Sequence, residues 1–299
     1  MPANNLGGVV EKFTTRLDQV ITQECVTGDL NMNQDLLGEM SGNGTIKIAR
    51  MSMDGLADHK RGQGFTKGGI TIEWDDYKLQ YERDREFNID VLDDEERAKI
   101  VSARAMGEFA RTKVVPEVDA VRFAKLAKKA GTTVAADLSG ADETVQAVLD
   151  AEACMEDHGK KLSECVFYHS SATKKLLRLS GKYQLSAGQN PNTNITTWDE
   201  MKMVGVAGDR FYTAIDLLDG VTGGEEDGGY KKAATGKGIN FIVMAPEAAA
   251  AIAKHEKLRY FSPDINQADE CHKWQYRLFH DLLVYAQKAG LIYVHHATA

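Results

Sequence analysis

The sequence predicts an α+β fold with a polar arm and a ribbon that reaches beyond its own globule. Three observations carry this. Strand-like alternation flanks a glycine-rich segment, in 45–51 and again in 70–91. A long helical run occupies about 93–131. A mixed middle region is followed by a strongly alternating C-terminal strand. With 299 residues there is room for about two domains. Hydrophobic residues make up 43% and charged residues 27%, enough to fill a real core. The net charge of -8 argues against a protein that grips DNA through its phosphates, though not against one that encloses it. No stretch approaches the roughly 20 apolar residues of a membrane helix. The start, MPANNLGGVVEKF, lacks the basic and apolar regions of a secretory signal. Cys25, Cys154, Cys165 and Cys271 are scattered without a C-x-x-C, as expected of reduced thiols.

Residues 8–24 read as an amphipathic helix, with Val10, Phe13, Leu17 and Val20 or Ile21 at helical spacing. Polar sequence follows, so this is an arm with one sticky stripe. TIKIARM (45–51) alternates as a strand, and DGLADHKRGQGFTKGG is too rich in glycine to be anything but a loop tip. In ITIEWDDYKLQYERDREFNIDV, Ile70, Ile72 and Trp74 share one face, whereas Tyr77, Leu79 and Tyr81 share the other. The phase flips near Asp75–Asp76, and a bulge or sharp twist is the simplest cause. Unbroken, Gly69 to Asp90 could span roughly 70 Å. A globule of this length is only about 50 Å across. Asp93 or Asp94 can cap the helix that follows. Pro116 either starts a second helix or kinks one long helix, and Gly131 stops it. The middle reads as a helix (about 142–157), a strand (CVFYH), a short helix (about 171–179) and strands near MKMVGV, FYTAI and INFIVM. A helix is expected after Pro246. Asp219–Gly229 is read as a mobile acidic loop. Trp274, Tyr276, Leu278, Leu282 and Val284 alternate in the C-terminal strand, and QKAG turns into a last strand, LIYVHH.

The search for chemistry finds no catalytic, cofactor or metal constellation. Asp29-x-Asn31-x-Asn33 begins like a calcium loop, but Gln34 replaces the turn glycine and Met40 the closing glutamate. Ser171-x-x-Lys174 lacks the partner motifs of penicillin-binding enzymes, and a helix cap at Ser170 or Ser171 explains the serines. Gly62, Gly64 and Gly68 have the wrong spacing and context for a dinucleotide. His272, His280, His295 and His296 form no ligand pattern, and Trp74 and Trp274 read as packing aromatics.

RDREFNIDVLD and MGEFARTKVVPEVDAVRFAKL strongly resemble major capsid proteins of tailed bacteriophages with the Hong Kong 97-like fold. GLADHKRGQGFTKGGITIEW resembles their extended loop, and NFIVMAPEA and QYRLFHDLLVYAQKAGLIYV also fit. The resemblance covers about 45–131 and 239–296. It implies an N-terminal arm (1–40), an extended loop (41–86), an axial domain (132–262) and a peripheral domain made of a spine helix (87–131) and C-terminal strands (263–299). It further implies pentamers and hexamers that close an icosahedral shell around packaged double-stranded DNA, held without sequence-specific binding. The implied partners are other copies of the chain, a portal, scaffolding and decoration proteins, and no membrane. The implied location is the virion, assembled in the host bacterial cytoplasm. The N-terminal scaffolding segment of many relatives is not expected ahead of the arm, which implies either a separate scaffolding protein or a segment that has been removed. The inter-subunit contact candidates are Phe13, Leu17, Lys60, Arg61, Lys67, Trp74, Arg83, Arg85 and Glu86. Lys60 and Lys67 lie where some relatives crosslink a loop lysine to an asparagine of a neighbour. Arg83 and Arg85, opposite Glu82, Asp84 and Glu86, suit pairing with a neighbour as well as with their own domain. Two alternatives are an encapsulin-type bacterial nanocompartment shell and a soluble enzyme.

Overall fold

The computed structural model describes residues 25–32, 37–40, 45–59, 65–90, 106–181, 197–266 and 270–298. The helix expected over 8–24, with Phe13 and Leu17, lies outside them, as do the cap at Asp93 or Asp94 and the tip residues Lys60 and Arg61.

The two alternating runs fold onto each other. β2 (Thr45–Met53) and β3 (Ile70–Lys78) pair antiparallel from Thr45 opposite Lys78 to Met53 opposite Ile70, and β1 (Leu37–Met40) adds to the free side of β2. The far end is clasped: the Asp54 amide donates to the Gly69 carbonyl at 3.2 Å, and the Gly69 amide to Asp54 Oδ2 at 2.7 Å. No bulge interrupts the pairing at Asp75–Asp76. The phase flips because the surroundings change. Toward the clasp, Met51, Met53, Ile70, Ile72 and Trp74 share one exposed face. At the root, Ile46 and Tyr77 face the opposite way and pack on the body with Leu79, Ile252 and Leu283.

The expected 70 Å ribbon is broken at Leu79–Gln80. Beyond it the chain continues as β4 (Tyr81–Asp90), which belongs to a different sheet. The nine residues of β3 give a projection of about 30 Å. β4 pairs with β13 (Cys271–Val284), which pairs in turn with β12 (Ala249–Phe261). The helix expected after Pro246 is only a 3-10 turn, Pro246–Ala248, before β12 begins. Alanine favours helix locally, but Ala249, Ala250 and Ala251 lie opposite Val284, Leu283 and Leu282, and that pairing decides.

The long helix, α1, runs through 106–129 and crosses Pro116 without ending. A π-turn at Ala110–Val114 precedes the proline, with the Val115 amide donating to Ala110 O. A proline has no N–H to give and its ring crowds the carbonyl four residues back, so loosening the preceding turn lets the helix continue. At about 36 Å, α1 is long enough to serve two cores. Met106, Val114 and Val118 pack on Trp274, Tyr276 and Leu278 of β13, while Phe123 and Leu126 enter the main core. Gly131 follows, but not as a left-handed cap. A Cβ there would stand 2.7 Å from the Ala289 carbonyl oxygen, so the glycine is needed for close backbone approach.

The main core lies against a six-stranded mixed sheet. Its strands are β5 (Thr132–Ala135), β6 (Val166–Ser170), β7 (Thr197–Trp198), β8 (Met201–Val206), β11 (Ile239–Met244) and β14 (Ile292–His296), in the order β5-β14-β11-β6-β8-β7. Helices α2 (Ala141–Asp157) and α3 (Ser171–Ser180) contribute Val148, Ala151, Met155 and Leu177 to it. A small ribbon, β9 (Ile215–Leu217) with β10 (Tyr230–Lys232), carries the glycine-rich loop. Strand pairing runs across the 262/263 position. β12 shares a sheet with β13, and β14 crosses back to pair with β11 and β5.

Candidate assembly surface

The hairpin carries a run of exposed apolar side chains. Ile70, Ile72 and Trp74 are 68%, 56% and 58% exposed, beside Met51 and Met53. Trp74 is therefore not a packing aromatic within its own chain, whereas Trp274 is buried as expected. Phe65 and Leu56 of the tip also stand in solvent, and Lys67 sits with them. Alternation does not reveal this exposure, because an apolar strand face is ordinarily a core face.

The root of the hairpin rests on charged groups that sequence reasoning missed. The Asp281 carboxylate is fully buried and pairs with Lys125 of α1. Its Oδ2 accepts from the Tyr77 hydroxyl at 3.0 Å and the Gln80 amide at 3.1 Å. Lys125 also donates to the Tyr77 hydroxyl at 3.0 Å and lies 4.9 Å from the Tyr81 ring centre. Neighbouring His280 is held neutral, its pKa pushed down to about 3. Burial is the main cause, followed by the charges of Arg122, Lys125 and Arg83.

A second buried carboxylate, Asp119, holds the segment that leads out of the arm. It accepts from the Val26 amide (3.2 Å), the Thr27 amide (3.2 Å), the Thr27 hydroxyl (2.7 Å) and Arg210 (3.2 Å). Arg122 donates to the Thr27 hydroxyl at 2.8 Å. The sequence carries one signal for both sites: Asp119 and Asp281 interrupt apolar stripes, VVPEVDAV and LFHDLLV. A charge on a buried stripe implies a partner.

Arg83, Arg85 and Glu86 all find partners within the chain. Arg83 Nε donates to Glu117 of α1 at 2.6 Å, and its Nη2 donates to the Gly229 carbonyl at 3.2 Å. Arg85 donates to the Glu226 carbonyl at 3.1 Å. Asp219–Gly229 is thus folded against β4. The loop holds itself too, since Asp219 accepts from Val221, Thr222 and the Thr222 hydroxyl, bonds that push its pKa down to about 2. Between loop, β4 and α1 lies a cavity of about 190 Å³ floored by Phe87, Phe109, Val114, Tyr276 and Leu278. Glu86 pairs across the strands with Lys273 (2.9 Å) and Gln275 (2.7 Å).

The rejected motifs have structural explanations. Asp29 pairs with Lys202 at 2.7 Å. Ser170, rather than Ser171, caps α3 by accepting from the Thr173 amide at 3.2 Å. His272 bonds Tyr260 and His295 bonds Asn240. No group of three or more potential metal ligands occurs among the described residues. No helix among them is long and apolar enough to cross a membrane.

Extended hairpin, spine helix, six-stranded sheet and three-stranded sheet together make the Hong Kong 97-like fold of tailed-phage major capsid proteins. No family model matches the chain, and no curated protein matches it. Solved structures do. The capsid of cyanophage P-SCSP1u aligns with a TM-score of 0.61 over 86% of this chain and 84% of its own, at 12% identity. The mature capsid of bacteriophage PhiM1 aligns at 0.57 over 85% and 82%, at 13% identity. A virus-like particle from Pyrococcus furiosus aligns at 0.51 over 96% and 98%, at 9% identity.

Proposed function

We propose that this chain is a structural subunit that self-assembles into a closed shell, the head of a tailed phage, and that it has no catalytic role. One observation carries the reading. The apolar face of the hairpin changes sides along its length, facing the chain's own body at the root and solvent at the clasp. A contiguous apolar patch left uncovered marks a binding surface. The occupant we propose is another copy of the chain, since the neighbouring structures are two phage capsids and a virus-like particle. A patch on a projection that meets a different surface on the next copy makes a head-to-tail contact, and such contacts form rings where the rotation between copies closes. Pentamers and hexamers around packaged double-stranded DNA follow as the finer proposal. So do contacts through Trp74, the tip lysines Lys60 and Lys67 with Arg61, and the arm residues Phe13 and Leu17. A portal, scaffolding and decoration proteins are the further proposed partners, with the virion as the location and the host cytoplasm as the place of assembly.

Electron microscopy of the expressed chain tests this, with closed particles as the expected result. A small soluble oligomer at high concentration would overturn it. A second reading is an encapsulin-type compartment, since the chain also matches a virus-like particle over 96% of its length. Particle content separates the two, as that reading requires an enclosed enzyme in place of DNA.

A further inference from the structure

We propose that Asp281, Lys125 and Tyr77 form a latch that sets the direction in which the hairpin leaves the body; its role in assembly rests on the shell reading above. Only Leu79 and Gln80 join the hairpin to β4. With planar peptides, a handful of backbone dihedrals across that connector decide where the projection points. Leu79 sits in an apolar socket made by Ile46, Ile252 and Leu283. Such a socket holds a side chain in place but tolerates rotation about it, because apolar attraction is non-directional.

Hydrogen bonds are directional. The buried Asp281 carboxylate spends its lone pairs on four separate places. It accepts from Tyr77 on the hairpin, from the connector amide of Gln80, from Lys125 on α1, and from the Leu282 amide of its own strand at 2.8 Å. Lys125 closes the ring by donating to the Tyr77 hydroxyl. Hairpin, connector, spine helix and three-stranded sheet are thereby tied at one carboxylate. An apolar residue at that position could fill the space with similar stability, so a retained ion pair is explained by what it orients. Neutral His280, stacked on Tyr81 at 5.9 Å, brings no competing charge.

The test uses the full chain in two variants. Tyr77→Phe removes one hydroxyl and keeps the ring under Lys125. The double variant Lys125→Gln, Asp281→Asn replaces the ion pair with an amide pair and leaves no buried charge unpaired. Spin labels on non-cysteine residues introduced at Met53 and Glu156 report the hairpin's angle in the unassembled subunit. The expected result is native circular dichroism with a distance distribution at least about twofold wider in both variants. Distributions as narrow as the parent's would overturn the latch. Loss of native circular dichroism in both variants would also overturn it, since the carboxylate would then be holding the fold together. These readouts precede assembly. A parent chain that never forms shells would remove the shell reading and leave the latch standing.

Discussion

Arg83 and Arg85 stand two residues apart on one strand face, yet charge reversal should affect them differently. Arg83 faces Glu117 through two donor atoms, at 2.6 and 3.4 Å, and the side chains are 25% and 13% exposed. Exposed pairs contribute about 0–1 kcal/mol, whereas breaking a fully buried pair costs about 3–5 kcal/mol. This half-buried pair falls between them. Arg83→Glu also sets two carboxylates against each other, which adds repulsion. A loss of about 2–4 kcal/mol of subunit stability is expected. Arg85 makes one exposed bond to a carbonyl, and Arg85→Glu should cost under about 1 kcal/mol. Arg83→Glu should therefore weaken the subunit itself, whereas Arg85→Glu should leave it folded. Urea unfolding of unassembled subunits measures the difference as a shift in midpoint, and sedimentation of assembly mixtures reads shell yield. Equal midpoints for the two variants would refute the assignment of Arg83 to the intrachain frame. An Arg85 variant that folds and assembles normally would make its charge a solvated one.

Replacing Ile72 and Trp74 together with serine should change subunit stability, read from urea unfolding, by no more than about 0.5 kcal/mol, because both side chains are already largely in solvent. Shell formation should then need a higher protein concentration; an unchanged assembly threshold would contradict the docking role. Gly131→Ala should destabilise the subunit by about 1–3 kcal/mol, since the added carbon meets the backbone of Ala289 and Gly290; thermal unfolding reads this directly. The Glu152 pKa is raised to about 7, mainly by burial and then by the charge of Asp199, while Trp198 donates to it at 2.9 Å. The folded state therefore holds this proton more tightly than the unfolded chain does. The resulting stability is complete below about 4.5 and is lost as pH rises through about 7. His280 works in the opposite sense, so the comparison is made against Glu152→Gln. The difference between parent and variant should move by about 2–3 kcal/mol between pH 4.5 and 7.5, and a flat difference would count against the buried carboxylate.

Much of this fold could be read from periodicity. The alternation of TIKIARM, of Ile70–Trp74 and of the C-terminal strand carries β2, β3 and β13, and the helical run read over about 93–131 carries α1. Non-local features were not readable. β12 looks helical because alanine's local preference is helix, and only its pairing with distant β13 reveals a strand. The phase flip was visible, but its cause was not, because no bulge exists and the two faces simply meet different surroundings. Charged residues are read by default as solvated, which concealed Asp119, Lys125 and Asp281 and made Arg83 look available to a neighbour. Trp74 alternates as a core residue would, yet it stands exposed, because alternation reports a shared face and not what that face meets.

The Asp54–Gly69 clasp has a consequence for how the tip can change. Both ends of the tip are pinned to each other, so the strands beyond the clasp do not register how much chain lies between them. Extra length there adds only loop-closure entropy, about 0.6 kcal/mol for each doubling. A foreign peptide spliced between Gly55 and Gly68 should leave the hairpin's register as it is. The tip is thus a free port on an otherwise fixed frame, where chemistry can be added without renegotiating the fold beneath it.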